Sequence, residues 1–285
     1  MTVDVAARLD RSTLDVGGAE VTVARGGEGD PLLYLHGLCG DVHSSFPGTD
    51  WTPFLGRLGA NFDVVAPALP GYNGSAGPAG FDDVEDYVFH LADLLEVLDI
   101  ESVCLVGHSF GAWMAAELAL RRPDLVEAMV LLSPLGVRVR GLAVPPFFGA
   151  VAPRGIGGFA EARQLLFADP EGEAARRALP DDMGREHQLL WFGGLQGAAR
   201  LGWAAPHFQS PVLTRRLRRI DVPTLVVRGG ADRLVPDQMA EVWVRSMPEA
   251  QLHEVPGVGH CLPAERPEVA ADVEGFLGEF HGGLP

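Results

Sequence analysis

Short apolar runs recur along the chain at lengths typical of buried β-strands. They cover residues 20–25, 31–36, 62–66, 102–107, 128–132, 222–228 and 250–255. Helix-like periodicity separates the later runs. Because strands alternate with helices, the sequence predicts an α/β fold with a mostly parallel central sheet covered by helices on both faces. Ligands of such sheets bind beyond the carboxyl ends of the strands.

The clearest helical segment is VEDYVFHLADLLEVL, residues 84–98. Asp82 or Asp83 is placed to cap its N-terminus. One face repeats apolar residues at helical spacing and predicts the side that packs on the sheet. That face comprises Val84, Tyr87, Val88, Leu91, Leu94, Leu95 and Leu98. His90 falls on the polar side, so we expect its ring to be solvated.

The alternation stops between residues 134 and 220, where several amphipathic segments follow one another without a convincing strand-like run. We therefore predict two parts of the chain. A core domain is formed by 1–133 and 221–285, and a helical lid (134–220) is inserted between its two halves. An apolar lid over the sheet's carboxyl edge would shape a pocket for a small apolar substrate.

The lid contains large rings and arginines that could contact a substrate. We expect Phe147, Trp191, Phe192 and Trp203 to line the pocket, although aromatic side chains more often serve packing. Arg138, Arg154 and Arg163 could pair with a substrate carboxylate, whereas exposed surface positions are their commoner use. The orientation of these side chains does not follow from the sequence.

The charged residues of the chain bear on its partners and exclude several catalytic mechanisms. Among 285 residues, 22 basic and 38 acidic side chains give a net charge of -16, which disfavours a nucleic-acid partner. Every basic residue is an arginine. The absence of lysine excludes Schiff-base chemistry, a Walker-type phosphate loop and a Ser-Lys dyad.

The N-terminal segment, the lengths of the apolar runs and the cysteine spacing bear on cellular location and metal binding. The N-terminal MTVDVAARLDRST lacks the features of a signal peptide, and no apolar run approaches the ~18 residues of a membrane span. We therefore expect a cytoplasmic protein without a membrane partner. Cys39, Cys104 and Cys261 are odd in number and lack metal-ligand spacing, so we expect neither a disulfide framework nor a metal site from them.

One serine stands where a strand-like run meets a helix-like run, in VCLVGHSFGAW. Gly107 and Gly111 flank Ser109 at two residues on either side, where a Cβ would collide with neighbouring backbone in a tight turn. Such a turn projects the hydroxyl outwards, as a nucleophile requires. The alternative is a glycine-rich turn in which Ser109 only caps the helix.

A serine nucleophile needs an imidazole to take its proton and a carboxylate to orient that imidazole. His260 follows the last strand-like run, and Asp232 follows the preceding one in LVVRGGADRLVP. All three positions therefore fall at strand ends. A loop histidine and a helix-capping aspartate are the alternatives for these two residues.

Stabilisation of an oxyanion requires backbone N–H groups near the serine. The run LLYLHGLCG ends in a glycine-containing loop that could reach the same crevice, so we select the amides of Leu38 and Phe110. His36 and His43 suggest a metal site, but no third ligand has suitable spacing. We therefore expect no metal and no cofactor.

Four motifs together resemble the α/β-hydrolase superfamily, in its lid-bearing bacterial branch. They are HGLCG, GHSFG, GGADRLVP and GVGHCLPAERPE, which appear in the chain order Ser, Asp, His. The resemblance covers nearly all of the chain outside the lid and implies Ser109 as nucleophile, His260 as base and Asp232 as orienting acid. One segment departs from the pattern, because APALPGYNGS has Ala68 where relatives usually carry Asp, and one extra residue before Gly74.

The resemblance implies a hydrolase acting on a small-molecule substrate with water. Serine at the elbow disfavours epoxide opening and halide displacement, since relatives with those activities carry aspartate there. We favour hydrolysis of a small, largely apolar ester, thioester or amide. Carbon-carbon bond hydrolysis of a vinylogous diketone, as in ring-cleavage-product hydrolases, is the alternative. A non-catalytic ligand receptor on the same fold is a third reading. The oligomeric state is not predicted.

Overall fold

The computed structural model describes residues 10–37, 52–76, 81, 83–142, 144–145, 159–181, 184–202 and 208–280. Its strands are β1 (Asp10–Val16), β2 (Ala19–Gly26), β3 (Asp30–Leu35), β4 (Phe62–Pro67), β5 (Val103–His108), β6 (Val126–Leu132), β7 (Thr224–Gly229) and β8 (Ala250–Val255). They form one sheet in the order β1-β2-β4-β3-β5-β6-β7-β8. β2 runs antiparallel to both of its neighbours, whereas all pairs from β4 to β8 are parallel.

Outside residues 134–220 the described helices are α1 (Pro53–Leu58), α2 (Val84–Val97), α3 (Phe110–Arg121), α8 (Asp237–Ser246), α9 (Leu262–Glu265) and α10 (Ala270–Leu277). Within 134–220 the described helices are α4 (Ala160–Leu166), α5 (Glu173–Ala178), α6 (Arg185–Gly202) and α7 (Leu213–Arg216). The predicted α/β fold is confirmed. β1 was not predicted, because most of its residues are exposed and it lacks an apolar run.

Alternate residues of the central strands supply two cores, one on each face of the sheet. Leu33 and Leu35 of β3 pack with α2, α3 and α8, whereas Leu32 and Tyr34 pack with α1 and α10. This division follows from the two-residue side-chain period of a strand. Because both faces are covered there, the central strands β3 to β7 are mostly buried and apolar, and a ligand can reach the sheet at the carboxyl ends of its strands.

The two ends of the 134–220 insertion lie side by side. Gly136 and Gln209 form an isolated parallel bridge. The Gly136 N–H donates to the Phe208 carbonyl at 3.0 Å, and the Ser210 N–H donates to the Gly136 carbonyl at 2.6 Å. We call this pairing the neck of the insertion. It lets β6 and β7 pair directly in the sheet although the whole insertion separates them in sequence.

Helix α6 approaches the core through glycines. A Cβ placed on Gly197 would lie 2.5 Å from the Pro70 carbonyl oxygen, and one on Gly194 would lie 2.6 Å from the ring of Tyr72. The segment containing Ala68 is thus covered by the insertion. Ala68 is buried, and its N–H donates to the Thr22 carbonyl at 2.8 Å.

Two sequence expectations are wrong. Helix α2 is capped by Asp83, whose carboxylate accepts from the Glu85 and Asp86 N–H groups, but His90 is buried against the ring of Phe81 rather than solvated. Arg163 is neither a surface residue nor an available clamp, because it is buried and bonded to Asp181 and the Leu179 carbonyl. Asp82 and Arg154 lie outside the described residues, and Arg138 is exposed.

Across the described stretches, no helix has both the length and the apolar character needed to span a bilayer.

Candidate active site

Ser109 occupies the corner between β5 and α3. β5 ends at His108 and α3 begins at Phe110, so Ser109 is the single residue between the strand and the helix. Its backbone has φ of 55° and ψ of -109°, a conformation that costs a non-glycine residue about 1–3 kcal/mol. Ser109 stands at the N-cap position, yet its hydroxyl makes no capping bond. The helix-capping alternative is therefore wrong.

The flanking glycines are required by close backbone contacts, as the sequence predicts. A Cβ on Gly107 would lie 2.6 Å from the Cα of Ala112. A Cβ on Gly111 would lie 2.1 Å from the Leu35 carbonyl oxygen and 2.7 Å from that of His36. The elbow is thus pressed directly against the end of β3, the strand that leads into the predicted oxyanion loop.

His260 and Asp232 meet Ser109 at the carboxyl edge of the sheet. The Ser109 Oγ lies 2.7 Å from His260 Nε2, and His260 Nδ1 lies 2.9 Å from Asp232 Oδ2. The side chains of His260 and Asp232 are fully buried. With Asp232 ionised, Nδ1 carries the proton and donates it to the carboxylate, which leaves Nε2 to accept from the serine hydroxyl.

The electrostatics of Asp232 fit this assignment. Burial by itself raises the pKa of Asp232, but the charge of His260 and hydrogen bonds from His260 and Val235 outweigh it, so the pKa lies below its usual value. Asp232 Oδ1 accepts from the N–H groups of Leu234 at 2.8 Å and Val235 at 2.9 Å. The carboxylate therefore stays ionised, and its second oxygen is held in place.

Of the two expected oxyanion donors, Phe110 is among the described residues. The Phe110 N–H belongs to the first turn of α3, where helical N–H groups lack a partner within the helix. Leu38 lies outside the described residues. Its neighbour Gly37 contacts the elbow, since a Cβ there would lie 2.7 Å from His108 Nδ1 and 3.2 Å from Ser109 Cβ. The chain thus reaches Leu38 from a point beside the nucleophile.

His36 and His108 support the loops around the serine. The Leu69 N–H donates to His36 Nε2 at 2.9 Å, so His36 Nδ1 carries a proton and donates to the Gly37 carbonyl at 2.7 Å. This is a structural role rather than metal binding. His108 was not considered from the sequence, but its Nε2 lies 2.9 Å from the His260 carbonyl. Its position beside Ser109 in GHSFG was the available signal.

The four predicted substrate-contacting rings have different surroundings. Trp191 is buried and packs edge-on against Phe159, 5.2 Å between ring centroids, so it contacts another residue of the insertion. Phe192 lies at the surface with 58% of its area exposed, which is not the enclosed position expected of it. Phe147 and Trp203 lie outside the described residues. Contact of these rings with substrate remains a prediction.

In the described ranges, no group of His, Cys, Asp or Glu side chains could hold a metal ion. His43 and Cys39 lie outside those ranges. Cys104 and Cys261 are buried and are not joined in a disulfide, and burial raises the pKa of the Cys104 thiol to about 12.

Comparison with known proteins gives a family and several relatives. The model of a family described as the alpha/beta hydrolase family matches residues 32–273. The chain is 30% identical to a dihydrolipoyllysine-residue acetyltransferase component of an acetoin cleaving system from Cupriavidus necator, over 94% of this chain and 68% of that protein. It is 29% identical to a 2-hydroxymuconate semialdehyde hydrolase from a Pseudomonas species, over 92% of this chain and 90% of that protein.

The fold also matches solved structures. A membrane phospholipase A described as a bacterial virulence factor superposes with a TM-score of 0.79, at 23% identity, over 98% of this chain and 88% of that chain. At this level of identity the likeness concerns the fold alone.

Proposed function

The chain belongs to the alpha/beta hydrolase family, and from that premise we propose that it is a serine hydrolase that cleaves a small, largely apolar carboxylic ester, thioester or amide through an acyl-enzyme. The observation that carries the proposal is the pair of hydrogen bonds that joins Ser109, His260 and Asp232 in series. A strained serine at a strand-to-helix corner, with its hydroxyl directed to an imidazole, is the arrangement that nucleophilic acyl transfer requires.

The reaction proceeds in two halves. Ser109 Oγ attacks the substrate carbonyl carbon while His260 Nε2 takes the hydroxyl proton, and Asp232 stabilises the resulting imidazolium. The oxyanion accepts hydrogen bonds from the Phe110 N–H and, in our proposal, from the Leu38 N–H. His260 returns the proton to the leaving group, and the acyl group stays on Ser109. A water molecule then gives its proton to His260, attacks the acyl carbon and releases the acid, and Ser109 recovers its proton.

Carbon-carbon bond hydrolysis is the second candidate, and similarity to the 2-hydroxymuconate semialdehyde hydrolase favours it. A muconate-type substrate carries a carboxylate, which a free arginine would recognise well. Of the three arginines that the sequence suggested for this role, Arg163 is bonded to Asp181, Arg138 is exposed, and Arg154 lies outside the described residues. An uncharged ester needs no such partner, and because neither of the two described candidates is an enclosed, available arginine, we prefer the ester. We further propose that the insertion acts as the lid of the substrate pocket.

A labelling experiment separates enzyme from receptor. We expect a fluorophosphonate probe to modify the wild-type protein at Ser109, as mass spectrometry of the labelled peptide would show, and to leave Ser109→Ala unmodified. Absence of wild-type labelling under conditions where the protein is folded would favour the non-catalytic receptor.

A turnover screen then separates the two reactions. p-Nitrophenyl esters of increasing acyl length are compared with a synthetic ring-cleavage diketone, whose absorbance is lost on cleavage. We expect ester turnover that Ser109→Ala abolishes. A kcat/KM for the diketone far above that of every ester would reverse our preference.

A further inference from the structure

A short part of the insertion is hydrogen-bonded to both loops that carry the base and the acid. This part, residues 164–168, spans the end of α4 and the residues after it. We call it the bridging segment. It lies within the stretch predicted to be a lid, so its contacts show what the insertion does besides covering the sheet.

The bridging segment binds the acid turn through Arg233, the residue that follows Asp232. Arg233 Nη1 donates to the carbonyls of Gln164 and Phe167, each at 2.8 Å, and Nη2 donates to the Ala168 carbonyl at 3.4 Å. These acceptors include carbonyls at the C-terminal end of α4, where a guanidinium is favourable. The Arg233 side chain therefore ties the Asp232 turn to the insertion.

The base loop is bound on both sides of His260. The Cys261 N–H donates to the Leu166 carbonyl at 3.1 Å. The Gly259 N–H donates to the carboxylate of Glu265, at 3.2 Å to Oε1 and 3.3 Å to Oε2. The same carboxylate accepts from the Ala168 N–H at 3.1 and 3.0 Å. Glu265 thus joins the bridging segment to the residue just before the base.

The packing leaves this junction little space. A Cβ on Gly259 would lie 2.6 Å from both the Ala168 nitrogen and Glu265 Oε1, and 2.8 Å from the Phe167 carbonyl carbon. Burial raises the pKa of Glu265, and the charge of Asp232 adds to that effect, while Arg233 and the two backbone bonds oppose it. A partly buried carboxylate is stabilised by hydrogen bonds from the Gly259 and Ala168 N–H groups. Those N–H groups would in turn lose their acceptor if the carboxylate were removed.

From these contacts we infer that Glu265 and Arg233 are positioning residues, through which the bridging segment holds His260 and Asp232 in register with Ser109. This inference rests on the proposed function, because it concerns the same three side chains. The physical reason is that proton transfer from Ser109 requires the 2.7 Å approach to His260, and a displacement of about 1 Å in an active site can cost about 100-fold in rate. Neither residue contacts the reacting atoms.

The test compares Glu265→Gln with a matched control, Glu268→Gln. Glutamine keeps the size of the side chain but offers one acceptor oxygen where the carboxylate offers two. Glu268 lies three residues later, is exposed and pairs with Arg57 at 3.2 Å, away from the triad. The readouts are the rate of fluorophosphonate labelling of Ser109, kcat and KM for an ester substrate, and the melting temperature. All rates are normalised to the fraction of titratable Ser109.

We expect Glu265→Gln to reduce the normalised labelling rate and kcat by about 10- to 100-fold, with KM changed by less than about twofold. Glu268→Gln should match the wild type in every rate. A purely structural role would lower the melting temperature and the titratable fraction but leave the rate per active site unchanged, and that result would overturn the inference. Equal losses in the two variants would overturn it as well.

A second variant covers the case in which Glu265→Gln does not fold. Arg233→Met removes the three bonds to the bridging segment at an exposed position and retains Asp232. We expect the same loss in kcat with little change in KM, and a wild-type rate in this variant would refute the role of Arg233. If the wild-type protein itself is not labelled, the proposed function has failed, and that outcome is distinct from any difference between the variants.

Discussion

Gly111→Ala should disable the enzyme while leaving most of the fold intact. The added Cβ would lie 2.1 Å from the Leu35 carbonyl oxygen and 2.7 Å from that of His36. A comfortable carbon-oxygen contact is about 3.3 Å, so α3 and the end of β3 must separate by about 1 Å. That separation moves Ser109 relative to the loop beyond Gly37. We expect about a 100-fold loss in the rate of Ser109 labelling and a stability loss of about 1–3 kcal/mol.

The control for this experiment is Gly275→Ala in α10. No atom lies within 4 Å of a Cβ placed there, and the residue is exposed on a helix, so alanine should be neutral or stabilising by up to about 1 kcal/mol. Fluorophosphonate labelling and thermal unfolding followed by circular dichroism are measured on both variants. A Gly111→Ala protein that labels at the wild-type rate would refute the argument that the elbow and the end of β3 share one fixed geometry.

Further predictions concern the triad and the response to acid. Ser109→Ala and His260→Ala should each lower kcat by roughly 10⁶-fold, with the double variant little worse, since the residues act as a unit; multiplying losses in steady-state assays would contradict this. Burial lowers the pKa of His90 although Asp93 opposes the effect, so acid protonates the unfolded chain first. Stability should therefore decline below about pH 6.5 by at most about 1.4 kcal/mol per pH unit. Urea unfolding at two pH values should show a smaller decline for His90→Leu than for the wild type, and equal declines would exclude His90 as the cause.

The elbow, the sheet and the location of the polar side chains at its edge were accessible from the sequence because each rests on local chemistry. Gly107 and Gly111 are required by backbone contacts within a tight turn and with the adjacent strand. The strands could be predicted from the lengths of their apolar runs without knowing which strands pair in the sheet. Ser109, Asp232 and His260 each follow such a run, so their common location follows from the parallel sheet.

What the sequence could not predict depends on neighbours that are distant along the chain. His90 lies outside the apolar face predicted for α2, yet its ring is buried and contacts Phe81, which the periodicity of the helix does not reveal. Arg163 resembles a surface arginine until Asp181 supplies its counter-charge. β1 pairs its backbone with β2 and needs few apolar side chains to do so. In each case the sequence periodicity describes a single helix or strand, whereas the burial of a side chain also depends on the segment that packs against it.

The neck at Gly136 and Gln209 bears on how enzymes of this architecture diversify. Because the insertion leaves and re-enters the core at a hydrogen-bonded pair, added flexible length changes only the entropy of closing the loop, and each doubling of that length costs about 0.6 kcal/mol. A different insertion could be grafted at this point to change substrate selection without rebuilding β6 or β7. If residues 164–168 support the triad as inferred, a graft must reproduce the contacts to Arg233 and Glu265. Substrate range could then change freely over most of the insertion, while those few residues would be constrained by catalysis.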